Sequence, residues 1–393
     1  MADALRIAIV GAGIGGLAAA HALRAGGHDV VVYEQAPSFE PVGASIDVGP
    51  NAIRLLDALG LGPAIRRVGV RPEWIELLRW QDSSTLLRMP HGEAAERYFG
   101  APLLDFLRSD LHELLTAELP PSRILLGHRA VAVEGTTVTF DNGAVESADL
   151  VVAADGVKST IRQLLVGADE AVFSGTVVYR GLLSRERAFD LHPDGVNRYW
   201  LGPKRHAVAY WIDAGRTLAV NTAVQDTERV RESWTEEVSS DEVLTAFAGW
   251  HEGLLELLSR VDRFLRSAVL VRKPLEHWAF GNVVLLGDAA HAMEPFQAQG
   301  AAQAIEDAYV LADVLSGAEA ADLPVRLRDY EERRMARASD VQASSAAAAG
   351  NFYLDDGPEQ QARDARYTRL LDELPWGHRQ PLWEHDVRAT VEA

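Results

Sequence analysis

Leu5-Arg6-Ile7-Ala8-Ile9-Val10-Gly11-Ala12-Gly13-Ile14-Gly15-Gly16 opens a stretch that runs to Asp29-Val30-Val31-Val32-Tyr33-Glu34. Residues 5–10 are apolar and rich in β-branched side chains, and they end abruptly in the glycines. Residues 17–25 are good helix formers without proline, and Gly26-Gly27 stops them. Residues 29–33 are again apolar. A buried parallel strand reads as a continuous apolar run, so the stretch predicts strand, glycine loop, helix, strand.

Each glycine has a physical task. Gly11 permits the tight turn, Gly13 leaves no side chain between backbone and a pyrophosphate, and Gly16 lets the helix pack against the strands. The helix N-terminus adds free N–H groups and the positive end of its dipole. Glu34 falls about 20 residues beyond the loop, where a carboxylate can accept hydrogen bonds from a ribose diol. The unit predicts a dinucleotide site without saying which dinucleotide. The competing reading is a glycine-rich turn of no function.

At 393 residues the chain suggests two lobes plus an appendage. Its net charge of −19 argues against nucleic acid or an anionic membrane as partner, because both reward clustered Lys and Arg. Without cysteine there is no disulfide framework or thiolate metal site, and no metal site is expected. The chain enters its first strand directly, leaving no room for a signal peptide. No apolar run reaches the ~18–20 residues of a membrane span. The expectation is a soluble cytoplasmic protein, monomer or homodimer.

Further along, Asn51 is a candidate N-cap for a helix over 52–59. Residues 74–89 suggest two strands around Asp82-Ser83-Ser84. A leucine stripe predicts one helix over 103–119, with Arg108 inside it. Asp141-Asn142-Gly143 signals a hairpin, and 150–154 is another buried strand. Strands at 177–183, 198–201, 207–212 and 218–224 have hairpin spacing and, with 74–89, suggest one mostly antiparallel sheet. Residues 234–258 read as helix, 269–274 as the return to the first lobe, 282–286 as a buried strand and 300–315 as a long helix. The strands at 5, 29, 150 and 283 are expected in one sheet, interrupted by the second lobe.

Two further motifs follow buried strands. In Asp155-Gly156-Val157-Lys158-Ser159-Thr160-Ile161-Arg162, Asp155 can cap a helix that carries Ser159 and Arg162 on one face; an ordinary capped turn is the bland alternative. In Gly287-Asp288-Ala289-Ala290-His291-Ala292-Met293-Glu294-Pro295-Phe296-Gln297-Ala298-Gln299-Gly300-Ala301, a carboxylate at a strand end can bind a sugar or ribityl hydroxyl. A helix starting at Gly300 can stabilise negative charge. His291 reads as a structural histidine holding the loop.

Together the three motifs resemble the class A flavoprotein aromatic hydroxylases, the 4-hydroxybenzoate hydroxylase fold. The wording Gly49-Pro50-Asn51-Ala52, Arg108-Ser109-Asp110-Leu111 and Ala298-Gln299-Gly300-Ala301-Ala302-Gln303 looks most like the salicylate hydroxylase and 6-hydroxynicotinate 3-monooxygenase branch. The resemblance implies an α/β protein. A Rossmann-like FAD-binding domain would occupy 1–73, 98–175 and 274–320, with a mostly antiparallel substrate domain at 74–97 and 176–273 and a C-terminal helical region at 321–393. It implies FAD held without a covalent bond, NADH or NADPH as transient reductant, O2 as co-substrate, and hydroxylation of a small phenolic or heteroaromatic, carboxylated ring through a flavin C4a-hydroperoxide. Gly11, Gly13, Gly15 and Gly16 would hold the pyrophosphate, and Glu34 with Gln35 the adenosine ribose. Arg108 would reach the pyrophosphate or ribityl side, and the backbone at Ala130 the adenine. Asp155 would serve FAD and NAD(P)H, Asp288 the ribityl chain, Pro295 the oxygen side of the flavin, and Gly300 and Ala301 its N1 and O2.

A phenol reacts better once deprotonated, so a base near its oxygen is expected. His206 and Tyr210, four apart on a strand, point to one face, and in the 6-hydroxynicotinate branch a His and Tyr at this spacing line the pocket. His206 is the candidate base or hydrogen-bond partner; a surface hairpin histidine is the alternative. Asp47, beside Ser45, departs from the Gln or His of relatives. It would disfavour a nearby carboxylate or pair with a cationic or protonated group, unless it only caps a turn. Arg180 is the candidate cation for an aromatic carboxylate, against a structural salt bridge. Other readings are a hydroxylase or epoxidase of a larger secondary metabolite, a flavin-binding sensor without turnover, and a pyridine-nucleotide dehydrogenase, which leaves the third motif without a purpose.

Overall fold

The computed structural model describes residues 4–40, 43–167, 169–226 and 236–390. Its first sheet is built on β1 (Arg6–Val10). β2 (Asp29–Tyr33) and β7 (Ile124–Leu125) lie on one side, and β11 (Leu150–Ala153), β19 (Val283–Leu285) and β18 (Ala279–Phe280) on the other. Every pairing is parallel except β18 with β19. The strands expected at 5, 29, 150 and 283 do share one sheet. They are buried on both faces, with Ile9, Val30, Val152 and Val284 fully inaccessible. Helix α1 (Ile14–Ala25) packs beside them, and a three-stranded meander, β8 (Ala130–Glu134), β9 (Thr137–Phe140) and β10 (Val145–Ser147), stands apart, turning at Gly143 with φ +87°.

The second lobe is one eight-stranded sheet. Its order is β16 (Glu236–Ser239), β17 (Arg263–Val271), β12 (Val172–Ser184), β15 (Thr217–Gln225), β14 (Arg205–Ile212), β13 (Val196–Gly202), β4 (Trp74–Arg79), β5 (Thr85–Pro90). All pairings are antiparallel except β4 with β13. Between the lobes lies a short two-stranded ladder, β3 (Ser45–Val48) against β6 (Leu104–Leu107).

Four local expectations are corrected. The helix expected over 103–119 is the strand β6 followed by helix α3 (Arg108–Ala117). Pairing with β3 wins over the leucine periodicity, and Arg108 becomes the first residue of the helix. The helix α2 (Pro50–Ala58) starts after Gly49, with proline in its first turn, so Asn51 is not the N-cap; its buried amide instead donates to Gln299 and Glu306. The first two positions of the helix expected over 234–258 lie outside the described residues. The rest is β16 and two short helices, Ser240–Ala246 and Glu252–Ser259, separated at Gly249 with φ +84°. The return to the first lobe begins at Arg272, because β17 continues to Val271 in the second sheet. Helix α4 is Thr160–Val166 and helix α5 is Gly300–Val314. Helix α6 (Leu323–Phe352) runs alongside both lobes. Among the described residues no helix is long and apolar enough to cross a membrane.

Candidate active site

A cavity of about 410 Å³ opens where the glycine loop, the second sheet and the segment after β19 meet. Its first wall is made largely of backbone. Gly13, Gly15 and Gly16 line it, with Gly300 and Ala301 from the start of α5. Neither α1 nor α5 has a side-chain cap or an acidic residue in its first turn. Two helix N-termini therefore present unsatisfied N–H groups and positive dipole ends to one space. A Cβ on Gly13 would meet nothing within 4 Å, so the space before that backbone is open. A Cβ on Gly16 would fall 2.0 Å from the Gly11 carbonyl oxygen, so this glycine is needed for packing.

The loop is tied from behind. Glu34 accepts hydrogen bonds from the Ala12 N–H at 2.8 Å and the Ala36 N–H at 2.9 Å. Asp155 accepts from the Ser159 hydroxyl and from the Ile161 N–H at 3.1 Å. Ser159, not Asp155, is the N-cap of α4, its Oγ accepting from the Arg162 N–H at 2.9 Å. The buried Arg162 donates to the carbonyls of Ala289 and Ala290, joining the second motif to the third. Glu34, Gln35, Ala130, Gly11 and Asp155 lie outside the cavity lining, whereas Arg108 and Asp288 are part of it. Burial lowers the Arg108 pKa against the pull of Asp288. Burial raises that of Asp288 against the opposing effects of His291 and Arg108. His291 is fixed 2.7 Å from Asp307 and is buried, as a structural histidine would be.

The second wall is one face of the eight-stranded sheet. Alternation along β14 puts His206, Val208 and Tyr210 on that face, and the register adds Tyr199 of β13, Asn221 of β15 and Arg180 of β12. The Tyr210 hydroxyl lies 2.8 Å from Ser45 Oγ, which accepts from the Asn221 amide at 2.8 Å. The Tyr199 hydroxyl donates to Asp47 Oδ2 at 3.3 Å. His206 sits among Phe296, Phe352 and Tyr353, with ring centroids 5.5–5.6 Å away. Burial first, and Arg379 second, push its pKa down to about 3. It is a neutral hydrogen-bonding group at ordinary pH and, held so low, a weak base, which argues against the general-base half of the sequence expectation. Arg180 donates to Ser267 Oγ, and burial lowers its pKa to about 10.

Arg379 was not singled out from the sequence, yet it lines the same wall. It donates to the Phe296 carbonyl at 3.2 Å and, at 3.5 Å, to the Tyr199 hydroxyl. Among the described residues it makes no ion pair. Burial works against its charge, but Tyr199 and Asp47 outweigh that and keep it ionised. The short turn Gly377–Arg379 that carries it has no motif, so no local signal could have found it.

The sequence model of the FAD binding domain family matches residues 4–345. The chain belongs to this family. Within the FAD binding domain family it is 39% identical over 377 residues to 3-amino-4-hydroxybenzoate 2-monooxygenase PtmB3 of Streptomyces platensis, across 94% of this chain and 95% of the relative. It is 37% identical over 352 residues to 6-hydroxynicotinate 3-monooxygenase of Pseudomonas fluorescens, across 88% and 91%. A salicylate hydroxylase substrate complex has the same fold, with a TM-score of 0.83 at 28% identity across 99% and 97% of the two chains. Fold, FAD cofactor and FAD-dependent monooxygenase class are those of the family. The cavity's first wall fits FAD: an open glycine backbone for its pyrophosphate, a buried Asp and Arg for its polar chain, and a second helix N-terminus for the ring.

Proposed function

We propose that the chain hydroxylates a small aromatic carboxylate bearing a ring hydroxyl, using NADH or NADPH and O2. The observation that carries this reading is Arg379, a buried guanidinium that makes no ion pair among the described residues and has the more distant charge of Asp47 to offset its own, opposite the wall that fits FAD. A buried cation is costly unless an anion meets it, and a ring carboxylate is the right partner for a planar guanidinium. Arg180 is the anchor expected from the sequence; it lies within the electrostatic influence of Arg108 and hydrogen-bonds Ser267. The cavity must also admit the flavin ring, so its volume favours a single-ring substrate over a large metabolite.

In this reading Gly11, Gly13, Gly15 and Gly16 hold the FAD pyrophosphate at the start of α1. Glu34, Gln35 and the Ala130 backbone serve its adenosine end, and Arg108 and Asp288 its ribityl side. Gly300 and Ala301 face the ring, and Pro295 closes the oxygen side. Asp155 orders the strand end that FAD and NAD(P)H share. Bound FAD supplies reduction by the nicotinamide cofactor and oxygen transfer; the protein orients the ring and excludes water. His206 and Tyr210 position the substrate's oxygen. The division into an FAD lobe, a substrate lobe and a C-terminal helical region at the boundaries given above belongs to the same proposal, as does a cytoplasmic monomer or homodimer.

The test is a panel of hydroxylated benzoates and pyridine carboxylates added to purified yellow protein. A substrate should accelerate NADH or NADPH oxidation with matching oxygen uptake and a hydroxylated product. If no aromatic acid does so, the reading fails, and substrate-independent NADH oxidation would point to the sensor.

A further inference from the structure

Asp47 and Asp105 are register partners across the β3–β6 ladder. Side chains directly opposite in an antiparallel pair have Cβ atoms about 4.5–5.5 Å apart. Both carboxyls are buried, Asp105 completely. One oxygen of each is occupied: Asp47 Oδ2 accepts from the Tyr199 hydroxyl, and Asp105 Oδ2 accepts from the Asn197 amide at 2.8 Å. The other oxygen of each, Oδ1, is buried with no hydrogen-bond partner. Buried polar atoms are rarely left so, and two facing carboxyls satisfy both orphans by sharing one proton.

We propose that Asp47 and Asp105 form a proton-sharing pair and that Asp47 is the base for the substrate's ring hydroxyl. This rests on the function proposed above and supplies the base that His206 does not. Tyr199 and Asp47 both line the cavity. The substrate O–H bond breaks and its proton passes to the Tyr199 oxygen. The Tyr199 proton passes to Asp47 Oδ2, and the ring oxygen keeps the electron pair. The pair thus gains one proton, which returns to solvent when product leaves.

The groups that face the pair decide its basicity. Burial raises the proton affinity of both carboxyls, and the charge of Asp47 raises that of Asp105 further. The opposing cation is Arg379, and the Tyr199 hydroxyl of β13 donates to Asp47; Tyr210 of β14 is engaged with Ser45, and His206 of β14 is uncharged. A carboxyl held above its ordinary range is better matched to a phenol than a free carboxylate is. A substrate carboxylate that engages Arg379 weakens its pull on Asp47, so the base strengthens as substrate binds.

The experiment uses the FAD-loaded enzyme, with 3-amino-4-hydroxybenzoate and 4-hydroxybenzoate as probes. The ultraviolet difference spectrum of bound ligand, taken across pH, reports phenol or phenolate. The wild type should bind phenolate at least one pH unit below the free ligand's ionisation. Asp47→Asn should abolish that shift and lower coupled hydroxylation about 100-fold. Asp105→Asn leaves Asp47 without its partner, so the acidic limb of kcat should fall by about one unit. Should Asp47→Asn retain no FAD, Asp105→Asn carries the test. An unchanged difference spectrum in Asp47→Asn, or an unmoved limb in Asp105→Asn, overturns the proposal. If the wild type binds neither probe and no aromatic acid stimulates NADH oxidation, the functional reading fails and this inference with it. Binding and turnover with an unshifted phenol spectrum overturn the inference alone.

Discussion

Arg334 donates through Nε to Asp307 Oδ1 at 2.8 Å, and both side chains are fully buried. The other oxygen of Asp307 accepts from the Gly287 N–H at 3.0 Å and lies 2.7 Å from His291 Nε2. One carboxylate thus holds helix α6 to the turn that presents Asp288. Burial pushes its pKa up, but His291 and Arg334 outweigh that and hold it at about 2. A depressed folded pKa gives stability that is present above the ordinary carboxylate range and is lost as pH falls toward 2. Asp307→Asn should cost about 3–5 kcal/mol at neutral pH, since it leaves Arg334 under-compensated. Denaturant unfolding at pH 7 and below 4 checks both parts: the variant's stability should fall less with acid than the wild type's.

The glycine loop separates a packing role from a binding role. Gly13→Ala places a methyl in open space, so the apoprotein should unfold normally while FAD affinity drops about 100-fold. Gly16→Ala forces a methyl against the Gly11 carbonyl and should cost about 1–3 kcal/mol even without cofactor. Thermal unfolding of apoprotein and fluorescence titration with FAD distinguish them.

His206 and Glu294 predict opposite pH behaviour. His206 titrates far below neutrality, so His206→Gln should leave the shape of the kcat/KM profile intact. Its loss of a neutral hydrogen bond should lower coupled hydroxylation about tenfold. Glu294 lines the cavity, and burial, opposed by the Thr176 hydroxyl, pushes its pKa up to about 7. Glu294→Gln should remove a limb near pH 7. A profile in which His206→Gln removes that limb instead would contradict the burial argument.

Arg379→Met should raise the KM for an aromatic acid roughly 10- to 100-fold, as expected for losing a charged hydrogen bond. The KM of the corresponding carboxamide should stay within about threefold. Arg180→Met provides the contrast: if it, and not Arg379→Met, shows the acid-selective loss, the carboxylate sits at Arg180. FAD content in each variant separates lost anchoring from lost folding.

What the sequence revealed divides along a physical line. The turns at Gly11 to Gly16, Asp155 and Asp288 were legible because each ends a buried strand, and a turn declares itself within a few residues. His206 and Tyr210 were legible because strand alternation is a local rule. Asp105 was hidden: Leu104–Leu107 carries a helical stripe, and only pairing with Ser45–Val48 makes it a strand. Arg379 was hidden more deeply, since nothing nearby marks a residue whose meaning comes from Tyr199, 180 positions away.

Tyr199 is bonded to Asp47, 152 positions before it, and to Arg379, 180 positions after it. At the usual pace of translation, about 5–20 residues per second, the last of these follows Tyr199 by roughly 10–40 s. During that interval a nascent chain has made the sheet face bearing Tyr199, Leu201, Val208 and Tyr210 but not the residues that cover it. That face of the second sheet therefore stays uncovered until the C-terminal segment carrying Arg379 has been made.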